Sequence, residues 1–132
     1  VIYERTPYER PKAKKSNKVS KYSAFLKIIV SCENINMYVS YAELDIDRRG
    51  NLMEMYIDGM GGQLLKRKDE KFPCFVGYTF LNSPMTQKSF DKQRKKMLEK
   101  YFSNDSSVLK DLKGREKLSE NDVFKLANSM CK

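Results

Sequence analysis

The 132-residue sequence contains no histidine and no tryptophan. Without imidazole it lacks the side chain whose charge changes near neutral pH, and with it the commonest protein metal ligand and general base. Long apolar runs are missing too. No stretch approaches the roughly 20 apolar residues that a membrane-spanning helix requires, so no transmembrane segment is expected. Cysteine is scarce, and Cys32, Cys74 and Cys131 stand far apart with no C-x-x-C pair. That spacing argues against a zinc site or a disulfide scaffold. It predicts small buried thiols in a reducing compartment, intracellular and either nuclear or cytoplasmic. The chain opens at Val1 with no basic segment leading into an apolar one, so no secretory signal is expected.

What the chain has in excess is positive charge. Lys and Arg number 26 against 17 Asp and Glu, a formal charge of +9, in a chain that is 40% hydrophobic and 33% charged. The apolar fraction is that of a folded domain rather than a disordered chain, and the length is that of one domain. The charge is unevenly placed. Residues 1–27 hold eight bases and two acids, residues 28–63 two and six, residues 64–102 ten and four, and residues 103–132 six and five. Positive charge gathered in packages points to a polyanionic partner, whereas a uniform excess mainly serves solubility.

Residues 1–21 form the first package, a basic extended arm with Pro7, Pro11, Lys12, Lys14, Lys15, Lys18 and Lys21. It carries a short near-repeat, Tyr3-Glu4-Arg5 then Tyr8-Glu9-Arg10, and no periodic apolar face. Alone it is expected to be mobile, held only by a partner chain, a nucleic acid or its own domain, and its deletion to leave the folded part nearly unaffected. Residues 22–132 are expected to make a single α+β domain. Period-two alternation predicts strands from Tyr22 to Ser31 and Met37 to Asp47, a hairpin turn at Arg48-Arg49-Gly50-Asn51, and strands over Leu52 to Asp58 and Cys74 to Leu81. Gly59-Met60-Gly61-Gly62 reads as a flexible break. The expected fold is thus a four-stranded antiparallel meander followed by two C-terminal helices packed on one sheet face. The first helix starts at Ser83-Pro84 and runs to about Phe102, with Phe90, Met97, Leu98, Tyr101 and Phe102 on its apolar side. A further short turn is foreseen over Val108 to Lys113. The last helix opens on the capping box Ser119 to Asp122, with Leu118 and Val123 placed for a hydrophobic staple.

Three constellations could carry function. On the sheet face away from the helices, Phe25, Tyr41, Tyr56 and Phe75 beside Lys27 would suit base stacking with phosphate contacts, unless these rings are core. The run Lys71 to Tyr78 fits the RNA-recognition-motif pattern at Lys71, Phe75, Val76 and Tyr78. It has Phe72 where that pattern has glycine and Pro73 where it has an aromatic, so it assigns no family. On the first helix, Lys88, Lys92, Lys95 and Lys96 fall at i, i+4, i+7 and i+8 and line one face, near Arg94 and in step with the Lys66, Arg67, Lys68 cluster. Glu43, Asp45 and Asp47, with Glu54 and Asp58, could gather around Mg²⁺ for phosphodiester cleavage, but a solvated acidic face accounts for them equally.

The expectation is a non-enzymatic nucleic-acid-binding protein, for single-stranded or structured RNA or DNA, with no cofactor and no metal. Its contacts would be Lys12, Lys14, Lys15, Lys18, Lys21, Lys27, Lys66, Arg67, Lys68, Lys88, Lys92, Lys95 and Lys96. The alternative is a structural or assembly protein, in which the arm docks on another chain of a homo-oligomer or larger complex, or on an anionic membrane surface.

Overall fold

A computed structural model describes residues 3–11, 17–19, 24–40, 43–46, 48–49, 52–55, 60–80 and 84–132. The fold is α+β. Its strands are β1 (Tyr3–Thr6), β2 (Glu9–Pro11), β3 (Asn17–Val19), β4 (Ala24–Ser31), β5 (Ile35–Ser40), β6 (Glu43–Ile46), β7 (Leu52–Met55), β8 (Met60–Arg67) and β9 (Cys74–Phe80). Three helices follow, α1 (Pro84–Tyr101), α2 (Ser106–Lys113) and α3 (Glu120–Met130). The main sheet has the order β1-β4-β5-β8-β9-β2-β3, antiparallel throughout except where β2 lies parallel to β9, and β6 and β7 pair separately.

The expected meander differs in two places. The single strand foreseen from Met37 to Asp47 is divided, its first part central in the main sheet and its second part in the β6–β7 hairpin around Arg48 and Arg49. The stretch read as a glycine break and a charged loop is β8, paired on both sides. Gly62 serves packing there: a Cβ at that position would run into the ring of Phe75. The alternation of β4 also changes sides. A bulge between Ile28 and Val30 puts Leu26 and Ile28 with one core cluster and Val30 with the other, because an extra residue inverts the facing of all that follow.

The larger cluster lies between the sheet and the helices. Val30, Ile35, Met37, Val39, Leu65, Cys74 and Val76 meet Leu98, Tyr101, Phe102, Leu112, Leu118, Val123 and Ala127. Leu118 and Val123 are both buried there, and the Ser119–Asp122 capping box is formed as expected. The short turn foreseen near Val108 is a full helix, α2, whose N-cap Asp105 accepts the Val108 N–H at 3.2 Å.

The sheet is curled. Thr6 ends β1 on one edge, and Glu9 begins β2 beyond β9, with only Pro7 and Tyr8 between them. In a flat sheet the five strand spacings from β1 to β2 would amount to about 24 Å. Three Cα–Cα steps reach about 11 Å at most, so the two edges must come together. Residues 3–11 therefore act as one strand kinked at Pro7, pairing with β4 before the kink and with β9 after it. The second cluster, Leu26, Tyr38, Leu64 and Phe75, joined by Tyr8, Ile28 and Tyr78, is buried on the face away from α2 and α3, and α1 contributes Met97 to it. The Tyr38 hydroxyl donates to Glu4 Oε2 at 3.1 Å, and the Glu9 N–H donates to the Pro73 carbonyl at 2.7 Å. The arm's described residues are thus extended and held by their own domain.

Cys32 and Cys131 are joined, with Cα atoms 5.7 Å apart. This corrects the expectation of three free thiols. Spacing along the chain could not reveal it, because the end of β4 meets the end of α3 only in the fold. The bond gives the expected reducing compartment no support. Cys74 stays free, and burial first, then the nearby carboxylates of Glu9 and Glu70, push its thiol up to about 12. Among the described residues no helix is long and apolar enough to cross a membrane.

Candidate nucleic-acid interface

Helix α1 sorts its residues sharply. Leu98, Tyr101 and Phe102 turn inward, and so, against expectation, do Asp91 and Arg94. Lys92, Gln93 and Lys96 turn outward and are exposed. The helical period explains the division, since Asp91, Arg94 and Leu98 follow one another at three and four residues, while Lys92 and Lys96 are one turn apart on the far side. Lys95 sits between the two faces and pairs with Glu99 at 3.7 Å. Lys88 belongs to the same helix, and its side chain lies outside the described residues.

Arg94 is fully buried and is no part of a phosphate-facing stripe. Its Nε donates to Gln63 Oε1 at 2.9 Å, and its Nη1 donates to Asp91 Oδ1 at 2.6 Å and to the Leu118 carbonyl at 2.8 Å. Its Nη2 donates to the Tyr78 carbonyl. Gln63 in turn donates to the Glu120 carbonyl at 3.0 Å. One guanidinium thereby fastens β8, β9, α1 and the approach to α3. Gly77 makes room for it, since a Cβ there would lie 2.8 Å from Arg94 Nε. The signal was present in the sequence, in the spacing of Arg94 from Asp91 and Leu98, but the surrounding lysines masked it.

Arg67 is likewise committed to structure. Its guanidinium lies 4.5 Å from the centre of the Tyr101 ring and 5.4 Å from that of Phe102, and it donates to the Tyr101 carbonyl at 3.2 Å. Glu70 closes the same turn, accepting the Arg67 backbone N–H at 2.7 Å and the Tyr101 hydroxyl. Burial, followed by the bond to Glu70, holds the Tyr101 phenol well above its ordinary value. Lys66 is half-buried beside it on β8, and Lys68 is exposed in the turn.

The remaining candidates are scattered. Lys27 is half-buried and stands across from Val39, which puts it on the helix-bearing side of the sheet rather than the opposite one. Phe75, offered as a stacking ring, is core, wedged over Gly62 and edge-on to Tyr78 with ring centres 4.7 Å apart. Lys18 lies in β3, with its side chain outside the described residues, as is that of Phe25 in β4. Lys12, Lys14, Lys15, Lys21, Tyr41 and Tyr56 fall outside the described residues altogether, as do Asp47 and Asp58. Glu43, Asp45 and Glu54 are placed on the β6–β7 hairpin by their backbone alone, Asp45 across from Met53 and Glu54 across from Leu44. Among the described residues no cluster of three potential metal ligands occurs.

The structure therefore brings together Lys92 and Lys96 as an outward ridge on α1, with Lys95 at its margin, and removes Arg67 and Phe75 from the set. Comparison with family models, with curated proteins and with solved structures returns no match.

Proposed function

We propose that the protein is a non-enzymatic nucleic-acid-binding domain that grips phosphates of a single strand through the solvent ridge of α1. The observation that carries this reading is the pairing of faces on one helix. Asp91 and Arg94 neutralise each other inside, and among the described residues of the helix the fully exposed charges are those of Lys92 and Lys96. These lysines stand one turn apart, about 6 Å along the axis, on a helix whose inner face is fixed by core contacts. Long flexible cations on a rigid base suit phosphate contacts, and the chain's charge of +9 adds attraction at longer range.

The test is fluorescence anisotropy with a labelled single strand of about 20 nucleotides across a salt series. Wild-type protein should bind at low salt, with log K falling linearly in log salt. Lys92→Glu with Lys96→Glu should weaken binding about tenfold or more and make the salt slope shallower by roughly 0.7 for each phosphate no longer neutralised. Absence of binding at low salt overturns the reading.

A further inference from the structure

Helix α3 is held differently at its two ends. Its start is fixed inside the molecule: the Leu118 carbonyl receives the Arg94 Nη1 donor at 2.8 Å, the Glu120 carbonyl receives Gln63 Nε2 at 3.0 Å, and Leu118 and Val123 are buried. The capping box closes the same end, Asp122 accepting the Ser119 N–H at 2.8 Å. Towards the other end Ala127 is the last buried residue. Asn128, Met130 and Cys131 are half-buried, and Ser129 and Lys132 are exposed. This last turn meets the sheet through the bond from Cys131 to Cys32 and through the Asn34 amide, which donates to the Met130 carbonyl at 2.9 Å in an exposed position. Leu126 and Met130 add contacts at the rim of the larger cluster.

The two sulfurs lie at the surface. Cys32 and Cys131 are both half-buried, and exposed Ser31, Glu33, Asn34, Ser129 and Lys132 flank them along the chain. We propose that Cys32 and Cys131 form a redox-addressed clasp, opened by a dithiol reductant and closed by a disulfide oxidant, which sets whether the last turn of α3 stays on the sheet. A thiolate of the reductant attacks one of the two sulfurs, giving a mixed disulfide and releasing the other cysteine as a thiolate that takes up a proton. The second thiol of the reductant then displaces the remaining cysteine. The reductant ends as a disulfide, and two electrons and two protons have passed to Cys32 and Cys131. Cys74 stays out of the exchange, because it is buried and its thiol, pushed up to about 12, supplies almost no thiolate. With the clasp open, an exposed hydrogen bond contributes little net, so the last turn frays while the start of the helix remains anchored. Ile29, Leu126 and Met130, packed at the rim of the cluster, then gain access to water. None of this depends on the lysine ridge of α1.

Dithiothreitol is the probe, applied to the native full chain at neutral pH without denaturant. Alkylation followed by mass spectrometry should find Cys32 and Cys131 labelled and Cys74 unlabelled. Hydrogen exchange should then rise about tenfold or more at the amides of residues 128–131, while β8 and α1 keep their protection. Oxidised glutathione should reverse both changes. Cys32→Ser with Cys131→Ser should show the opened pattern with and without dithiothreitol, which separates loss of the bond from other effects of the reductant. A bond that survives dithiothreitol until denaturant is added is a permanent staple, and the clasp is wrong. It is equally wrong if reduction leaves exchange at the end of α3 unchanged. Loss of protection across β8 and α1 together also overturns it, since the bond would then hold the whole fold rather than one turn.

Discussion

A buried guanidinium is tolerated only where its N–H donors find partners, because desolvating an unpaired charge costs far more than a fold of this size can offset. Arg94 meets that condition with four hydrogen bonds to Gln63, Asp91, Leu118 and Tyr78. Its worth to the fold is therefore mostly the cost of taking it away. Arg94→Met should lower the unfolding free energy by about 3–5 kcal/mol, since Asp91 would be left buried beside an apolar chain. Adding Asp91→Leu should recover much of the loss. Urea titrations of the two variants measure both effects, and equal stability of single and double variants would show that the pair is not coupled.

At the scale of elements, the legible parts were those whose pattern is local. The helix α1 was readable from Pro84 and its apolar stripe, and α3 from Ser119, Asp122 and Val123, because caps and helical spacing are complete within a few residues. The strand β8 was not, since Gly61, Gly62 and Lys66 carry breaker and loop signals whose reasons, the ring of Phe75 and the flanking strands, come from elsewhere in the chain. Nor could the exposed ridge be told from the buried Arg94 without knowing which side of α1 meets the sheet. The arm shows the same limit most clearly. Thr6 is buried, Tyr8 packs on the second cluster and Glu4 binds Tyr38, so the sequence-based expectation of a dispensable arm no longer holds. Deleting residues 1–11 should cost on the order of 2–4 kcal/mol, the scale of removing one or two buried side chains. Thermal melts of the truncated and full chains, monitored by circular dichroism, check this, and an unchanged midpoint would mean that the two edges do not need the arm.

For the whole molecule, the bond between Cys32 and Cys131 ties the last helix back to the turn between β4 and β5, 99 residues away in sequence. The Asn34 side-chain amide reinforces the junction by donating to the Met130 carbonyl at 2.9 Å. A crosslink across so long a loop restricts the unfolded chain strongly, so Cys32→Ser with Cys131→Ser should lose about 2–4 kcal/mol in denaturant titrations, whereas reductant should not further weaken that variant. The kink at Pro7 acts on a different axis, that of time. Residues 3–6 find β4 and residues 9–11 find β3 close by in the chain, but Glu9 cannot pair with Cys74 until that residue has been made, so the sheet is joined at β9 only later. Contacts between such distant positions form slowly. In the interval β9 offers an open edge, and at high chain concentration the β2–β3 pair of one nascent molecule can complete the curled sheet of its neighbour.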